Sequence, residues 1–537
     1  MKKLLAVLLC ALLLTGCASS AVAEVTTVET TAPAATEGTA AAILSTDTTP
    51  DIAYVSRFDS ETSIQLSDEG ITVNGGEETD TVYTSHDIIY CEDRDTYDSG
   101  NPYGEGEAHE RHTAGEAAAH TVVNITAPGA YRVSGSLSAG QIRIDLGDDA
   151  YENPDAVVEL ILENADITCT VAPAVLFLNT YECDGNWSTD TAVPDVDTSA
   201  AGANLILEGS NTVFGSHVAR IYKDTEGEKK LWKQDGAVNS YMSMNVFGPG
   251  SLDLTADNEG LDTELHLTIN GGNIAIRADN DGINTTEDGV SVTTINAGTL
   301  HIIAGLGAEG DGIDSNGYLV INGGTVVASA NPAADAGMDS DLGSYVNGGT
   351  VIALGSTMDW AESDSDQVTM NLQFAQYQSS GSAILITDEN ETPVFAYDPS
   401  EDEVLGENVR QYMGAVISCP GFDQGATYHV YVGDEQMVYT GHDVGRGGPG
   451  GMGPRPDMPE GMPGERPEPP EGFDPAQQKN PDNRKPPEGF SGEMPVPPDG
   501  FAPGPSGNAS DRARADFYMN DKVNAFSGLM VTAEATA

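Results

Sequence analysis

The stretch Leu267-Thr268-Ile269-Asn270-Gly271-Gly272-Asn273-Ile274-Ala275-Ile276-Arg277-Ala278-Asp279-Asn280-Asp281-Gly282-Ile283-Asn284 decides the fold. Around its second glycine, Gly272, apolar residues stand three positions before (Ile269) and two, four and six after (Ile274, Ile276, Ala278). Alternation with a period of two, interrupted by a glycine turn, marks strands with one buried face. The pattern then repeats. With Gly250, Gly272, Gly298, Gly324 and Gly349 aligned, the separations are 22, 26, 26 and 25 residues. The second positions become Leu252, Ile274, Leu300, Val326 and Val351, and the fourth Leu254, Ile276, Ile302, Ala328 and Ala353. The sixth are small: Ala256, Ala278, Ala304, Ala330 and Gly355. A propeller blade would need about 40 residues, and a leucine-rich repeat a helix-compatible half. A coil this short instead stacks equivalent strands about 4.8 Å apart and buries one continuous apolar column. The expected architecture is all-β, a right-handed parallel β-helix (a solenoid).

Two further columns follow from that register. Asn270, Asn296, Asn322 and Asn347 each stand two residues before the aligned glycine, so their amides can bond to one another along the stack, a structural ladder. On another side of each coil lie Glu259-Gly260-Leu261-Asp262, Asp281-Gly282-Ile283-Asn284, Asp311-Gly312-Ile313-Asp314 and Ala336-Gly337-Met338-Asp339, preceded by Asp257, Asp279, Glu309 and Asp335. Asp-Gly and Asn-Gly are good turn dipeptides on any solvated edge. Here a turn with glycine two residues before Asp or Asn recurs at the same place in four coils, with Asp-Gly in two of them. Carboxylates stacked at strand spacing repel, and Ca²⁺, which takes six to eight oxygens at about 2.3–2.6 Å, is suited to bridge two coils. From Gly248 to Trp360 there are 16 acidic residues and one Arg or Lys, Arg277, so internal ion pairs cannot neutralise the segment. Asp257, Glu259, Asp262, Asp279, Asp281, Asn284, Glu309, Asp311, Asp314, Asp335 and Asp339 are therefore the candidate ligands, and calcium the expected cofactor.

Composition agrees. Across 537 residues, 84 Asp+Glu against 23 Lys+Arg give a net charge of −61. Such a chain repels nucleic acid and anionic lipid, which are excluded as partners unless a cation intervenes. With 61 glycines and 6% aromatic residues, short strands and tight turns fit better than a helical bundle.

Met1-Lys2-Lys3 and the apolar run Leu4 to Leu14 read as an export signal, about half the length that a bilayer crossing needs. The run ends in Leu14-Thr15-Gly16-Cys17, which looks like a bacterial lipobox and implies a lipid on Cys17. Residues 1–17 are thus expected to be a lipoprotein signal peptide and 18–50 a flexible Ala/Thr-rich tether. The protein would sit on the extracellular face of the bacterial cell membrane, held by its lipid anchor only. Outside the cell, Cys91, Cys169, Cys183 and Cys419 have three possible pairings, with buried free thiols as the alternative.

The runs Asp257-Asn258-Glu259-Gly260, Leu267-Thr268-Ile269-Asn270-Gly271-Gly272, Asn280-Asp281-Gly282-Ile283-Asn284-Thr285 and Gly310-Asp311-Gly312-Ile313-Asp314-Ser315-Asn316-Gly317 resemble carbohydrate-binding-domain-containing proteins of clostridial and related cell surfaces. Gly215-Ser216-His217-Val218-Ala219 and Val416-Ile417-Ser418-Cys419-Pro420-Gly421 extend the resemblance, which spans roughly residues 120 to 440. It implies a pectate-lyase-like parallel β-helix with calcium along the coils. It also implies non-catalytic binding of acidic, uronate-containing plant polysaccharide such as polygalacturonate, extending to cellulose. Residues 51–440 would form this domain with its flanking strands.

Residues 441–510 are a Pro/Gly/Met-rich low-complexity segment, with 17 of the 29 prolines. Residues 511–537 are expected to hold a returning strand, since Asn524 to Val531 alternates. For catalysis the chain offers little. A lyase needs a base beside calcium, and Arg277 stands alone; a hydrolase needs a marked carboxylate pair, and none stands out. His266 and His301 read as strand residues. Trp187, Trp232 and Trp360 are the aromatic candidates for sugar stacking. Three classes stay open: a calcium-dependent polysaccharide binder, a pectic lyase or hydrolase, and a surface adhesin or scaffold.

Overall fold

The computed structural model describes residues 43–44, 49–93, 103–225, 228–356, 359–444 and 513–532. The export signal, Cys17, most of the tether and nearly all of the Pro-rich segment lie outside them. The described chain is almost wholly β. Its one α-helix, Ala114–Ala117, is a single turn held by a Thr113–Glu116 capping box.

Strands of the aligned repeats pair in parallel, each with the strand one repeat later. Ser251–Ala256, Asn273–Ala278, Thr299–Ile303, Thr325–Ser329 and Thr350–Gly355 form one ladder, so Leu252, Ile274, Leu300, Val326 and Val351 stand in a single row. A second ladder joins Met244–Phe247, His266–Ile269, Val292–Ile295, Tyr318–Ile321 and Gly343–Val346. A third joins Gly236–Ser240, Glu259–Thr263, Ile283–Thr285, Ile313–Ser315 and Asp339–Ser340, and belongs to a separate nine-stranded sheet. The aligned apolar residues are buried together in one core.

Glycine is required where successive repeats touch. Gly298, Gly324 and Gly349 have φ of +94°, +82° and +85°, and a Cβ on any of them would stand within 2.8 Å of the carbonyl of the glycine one coil earlier. Gly282 and Gly312 in the acidic turns are as confined: a Cβ would lie 2.6 Å and 2.3 Å from the carbonyls of Gly312 and Gly337. The asparagine ladder forms as expected. Asn296 donates to Asn270 (2.9 Å), Asn322 to Asn296 (3.0 Å) and Asn347 to Asn322 (3.0 Å).

Parallel pairing begins well before the aligned repeats. Gly129–Leu137, Val158–Thr168, Ala203–Glu208 and Ser210–Gly215 extend the first two ladders upstream. Thr121–Ile125, Gly140–Asp145 and Val175–Asn179 extend the third. At the other end the pattern turns antiparallel: Thr350–Gly355 pairs with Tyr412–Ser418, and that with Thr369–Gln378. The expected returning strand is present as Val523–Val531, parallel to Thr369–Gln378. A second core, with Phe374, Phe395, Tyr397, Phe517 and Phe526, fills this module. Cys91 and Cys169 are buried free thiols, Cys183 is a half-buried one, and Cys419 is buried.

Candidate functional site

The third ladder brings the acidic turns into register. Asp262, Asn284, Asp314 and Asp339 are paired in sequence, separated by 22, 30 and 25 residues, so the column survives the longer turn between Ala304 and Gly310. It also reaches one coil further back than the acidic motifs suggest, since Asn239 pairs with Asp262. Beside it, Asn284 donates to Glu259 Oε1 (3.1 Å), the Asp311 N–H to Asp281 Oδ1 (2.7 Å) and the Ala336 N–H to Asp311 Oδ1 (2.5 Å).

Four oxygens in this region accept no hydrogen bond: Asn239 Oδ1, Glu259 Oε2, Asp262 Oδ1 and Asn284 Oδ1. Their residues are 2%, 4%, 3% and 6% exposed. A buried acceptor without a partner costs about 1–3 kcal/mol, more if charged, so four on three consecutive strands need an electropositive partner. Their sources, two carboxylates and two carboxamides, are hard oxygen donors of the kind calcium takes. Among the described residues no three His, Cys, Asp or Glu side chains gather tightly enough to hold an ion by themselves. A donor set here would have to include carboxamide oxygens.

Electrostatics lead the same way. Burial, then Asp235, pushes Glu259 up to about 7; burial, then Glu259, raises Asp262 well above the carboxylate range. Burial also raises Asp281, with Glu259, Asp314 and Asp311 adding to it. Asp311 is pushed up to about 7 by burial and Asp339, against the Ala336 N–H, and Asp314 to about 8 by burial and Asp311. Burial thus shifts all of these carboxyls toward their protonated forms.

The outer residues behave differently. Asp257, Asp279 and Glu309 are exposed. Asp257 accepts from Ser216 (2.7 Å) and pairs with His217 (2.9 Å), whose other ring nitrogen meets Glu110 (2.9 Å). Asp335 accepts the Gly310 N–H. The eleven candidates therefore divide into a buried set near the column and an outer set in solvent or already engaged.

Sequence reasoning missed Asn239, Asp235, Lys233 and Asp359. Lys233 lies 2.6 Å from Asp235. Desolvation opposes its charge, but Asp235, Glu259 and Asp262 outweigh that and hold its pKa well above the usual value. Asp359, pushed up to about 8 by burial and Asp339, accepts from the Ser340 N–H (3.0 Å) at the far end of the column. Projecting the repeat back one coil from Asp262 would have found Asn239.

Of the catalytic and stacking candidates, Arg277 is tied to Asp253 (2.6 Å) and the Val404 carbonyl (3.2 Å). His266 accepts the Val292 N–H and meets Asp184, and His301 meets Asp402, as strand residues would. Trp187 is exposed and Trp360 half-buried; the Trp232 side chain lies outside the described residues.

A family model described as carbohydrate-binding domain-containing protein matches residues 119–390, just over half of the chain and the whole of the acidic column up to Asp359. The chain belongs to this family. The match begins near Thr121–Ile125, the first strand of the third ladder's parallel run, and so takes in the upstream parallel strands as well as the aligned repeats. A solved structure described as the polysaccharide lyase-like protein from C. thermocellum, a gadolinium derivative, is similar at 18% identity, covering 55% of this chain and 93% of that one with a TM-score of 0.31. No curated protein matches the chain.

Proposed function

We propose that this carbohydrate-binding family member is a non-catalytic cell-surface lipoprotein that holds uronate-rich polysaccharide through calcium ions seated along a right-handed parallel β-helix. The four partnerless buried oxygens of Asn239, Glu259, Asp262 and Asn284 carry the reading. Three parallel ladders advancing one repeat per step support the helix, and parallel crossovers are right-handed in about 98% of cases.

Asn239, Glu259, Asp262 and Asn284 would hold one ion; Asp281, Asp311, Asp314 and Asp339 are the donors for others along the same stack. The ion among Asn239, Glu259, Asp262 and Asn284 would neutralise the buried part of the column, and calcium at the half-buried Asp311, Asp314 and Asp339 would leave capacity for a carboxylate from outside. A chain of charge −61 and a polyanionic glycan otherwise repel. Arg277 is pinned, and Lys233, held protonated by its neighbours, is no base at neutral pH; both weigh against a lyase. Glu259 and Asp262 are too buried to reach a glycosidic bond, which weighs against a hydrolase. Anchoring on Cys17 would keep the domain at the cell surface.

Titrating polygalacturonate fragments by calorimetry, with calcium and with excess chelator, tests the reading. Binding is expected only with calcium, without release of unsaturated products absorbing in the ultraviolet. Undiminished binding in chelator would overturn the calcium mechanism, and product release the non-catalytic one.

A further inference from the structure

The segment that precedes Glu61 is docked along the outer face of the second ladder, and it runs against the order of the repeats. Glu61–Leu66 lies beside Gly129–Leu137, the first strand of that ladder's upstream run. Just before it, Ser56 donates to Glu159 Oε2 (2.6 Å) and the Arg57 N–H to Glu159 Oε1 (2.7 Å), while the Arg57 guanidinium meets the carbonyls of Ser199 and Ala200. Tyr54 packs on Phe247 (4.7 Å), the Ile52 N–H donates to the Asn270 carbonyl (2.7 Å), and Asp51 covers Gly271. Thr49 reaches Gly323. Ile43–Leu44 pairs with Pro393–Tyr397, in the antiparallel module beyond the last repeat.

Backbone length agrees with this path. From Glu159 to the strand before Gly323 the ladder takes five steps, about 24 Å at about 4.8 Å each. Ser56 and Thr49 are seven residues apart, which is about 24 Å of extended chain. The segment crosses those repeats without slack. Two features of the face beneath it fit the contact. Glu159 is fully buried there, and a carboxylate in that setting needs donors, which Ser56 and Arg57 provide. At Gly271, the three atoms nearest an added Cβ would all belong to Asp51, at 2.8 Å, 2.8 Å and 3.0 Å, so the missing side chain leaves room for the segment. The Pro-rich segment departs from the module that holds Ile43–Leu44, after Gly441–Val444.

We propose that residues 43–44 and 49–58 belong to a strap that carries the membrane tether back along the domain. Tether and Pro-rich segment then leave at one end, and the first repeats stand farthest from the membrane. The linker expected over residues 18–50 thus ends in a docked element. The strap also guards the connection to the anchor. Arg57 is the sole Lys or Arg between Lys3 and Arg94, and docking holds both its N–H and its guanidinium on the domain. The strap stands on its own contacts; only the orientation rests on the lipid anchor proposed above.

Trypsin treatment of the full-length protein on membranes tests the strap. Cleavage after Arg57, read by mass as a new N-terminus at Phe58, should be slow in the wild type. It should be about tenfold faster or more in Glu159→Ala, which loses two bonds to a carboxylate, and in Gly271→Leu, which displaces Asp51. Unchanged cleavage rates at the other Lys and Arg residues certify the folding of both variants. Energy transfer to a dye-labelled membrane reads the orientation. With Cys183→Ser removing the half-buried thiol, a donor on Ser400→Cys, in the antiparallel module, should transfer more strongly than one on Glu69→Cys, beside the first repeats; both positions are exposed. Equal Arg57 cleavage in wild type and both variants, or transfer from Glu69 equal to or above that from Ser400, would overturn the proposal. Wild-type protein missing from the membrane fraction would reject the lipid anchor and the orientation with it, while Arg57 protection would still decide the strap.

Discussion

Replacing Asp311 and Asp314 with Asn should move stability in opposite directions with and without calcium. In chelator both carboxyls are half-buried beside Asp339, and their pKa values are pushed up to about 7 and about 8. A carboxyl whose folded pKa stands above its unfolded value stabilises the fold below the unfolded value and loses that contribution as pH rises through the folded one. Each such proton makes stability fall by about 1.4 kcal/mol per pH unit across the window between the two values. For Asp311, between its ordinary 3.8 and about 7, that is on the order of 4 kcal/mol; the two sites repel each other, so their effects overlap rather than add. Asn carries no proton to lose and can still accept the Ala336 N–H. The chelated double variant should therefore match wild type near pH 4 and be more stable by a few kcal/mol at pH 8. With calcium the order reverses, because a ligand a hundredfold above its Kd stabilises the native state by about 2.7 kcal/mol and the variant, short of two charges, binds it more weakly. Calorimetric melts of both proteins at pH 4 and pH 8, with calcium and with chelator, read all the terms. Equal calcium-induced shifts in both proteins, or a chelated variant less stable than wild type at pH 8, would refute the assignment of these aspartates to a cation.

Other perturbations test separate parts. His217, raised to about 10 by Asp257 and Glu110 against the cost of burial, should stabilise the fold fully below pH 6.5 and lose that contribution by about pH 10; His217→Gln should cost roughly 3–5 kcal/mol at pH 6 and much less above pH 10, as measured by urea unfolding. Asn296→Asp removes the donor to Asn270 while keeping the shape; it should destabilise by about 1–3 kcal/mol at pH 7, with partial recovery at pH 3 where the carboxyl regains its proton. Cys17→Ser should release the protein into the medium, checked by fractionation, since nothing else in so acidic a chain favours an anionic membrane.

What was legible in the sequence was what repeats. From Gly250 onward each coil advances by 22 to 26 residues at the glycine and keeps its apolar positions, so the rows of Leu252, Ile269 and Asn270 were readable and are found in register. Upstream, Val158–Thr168 and Ala203–Gly215 pair in the same way, but long connections and a hairpin at Val218–Gln234 separate the coils and hide the period. The Asp262 column was readable because a glycine stands two residues before each of Asp262, Asn284, Asp314 and Asp339. Asn239 was missed although Asp235-Gly236 precedes it, because it stands three residues after its glycine rather than two and lies before the first aligned repeat. Lys233 enters from that hairpin and Asp359 from the chain after the last aligned coil; long-range packing brings them in, and no local spacing encodes that.

The two polar columns of this fold use the same stacking geometry with opposite chemistry. A carboxamide is self-complementary: it donates and accepts, so Asn270 through Asn347 satisfy one another with no outside partner. An ionised carboxylate only accepts, so a stack of them cannot close on itself. At the third ladder the mismatch is visible atom by atom, in partnerless oxygens on Asn239, Glu259, Asp262 and Asn284 and in carboxyls raised toward neutrality. Had the column served only to turn the chain, asparagine at every rung would have done so without cost, as it does one face away. Retaining Asp262, Asp314 and Asp339 keeps a standing demand for positive charge along the stack. A divalent cation would meet that demand and still have coordination capacity for an external carboxylate, which is the chemistry that the proposed grip on an acidic glycan needs.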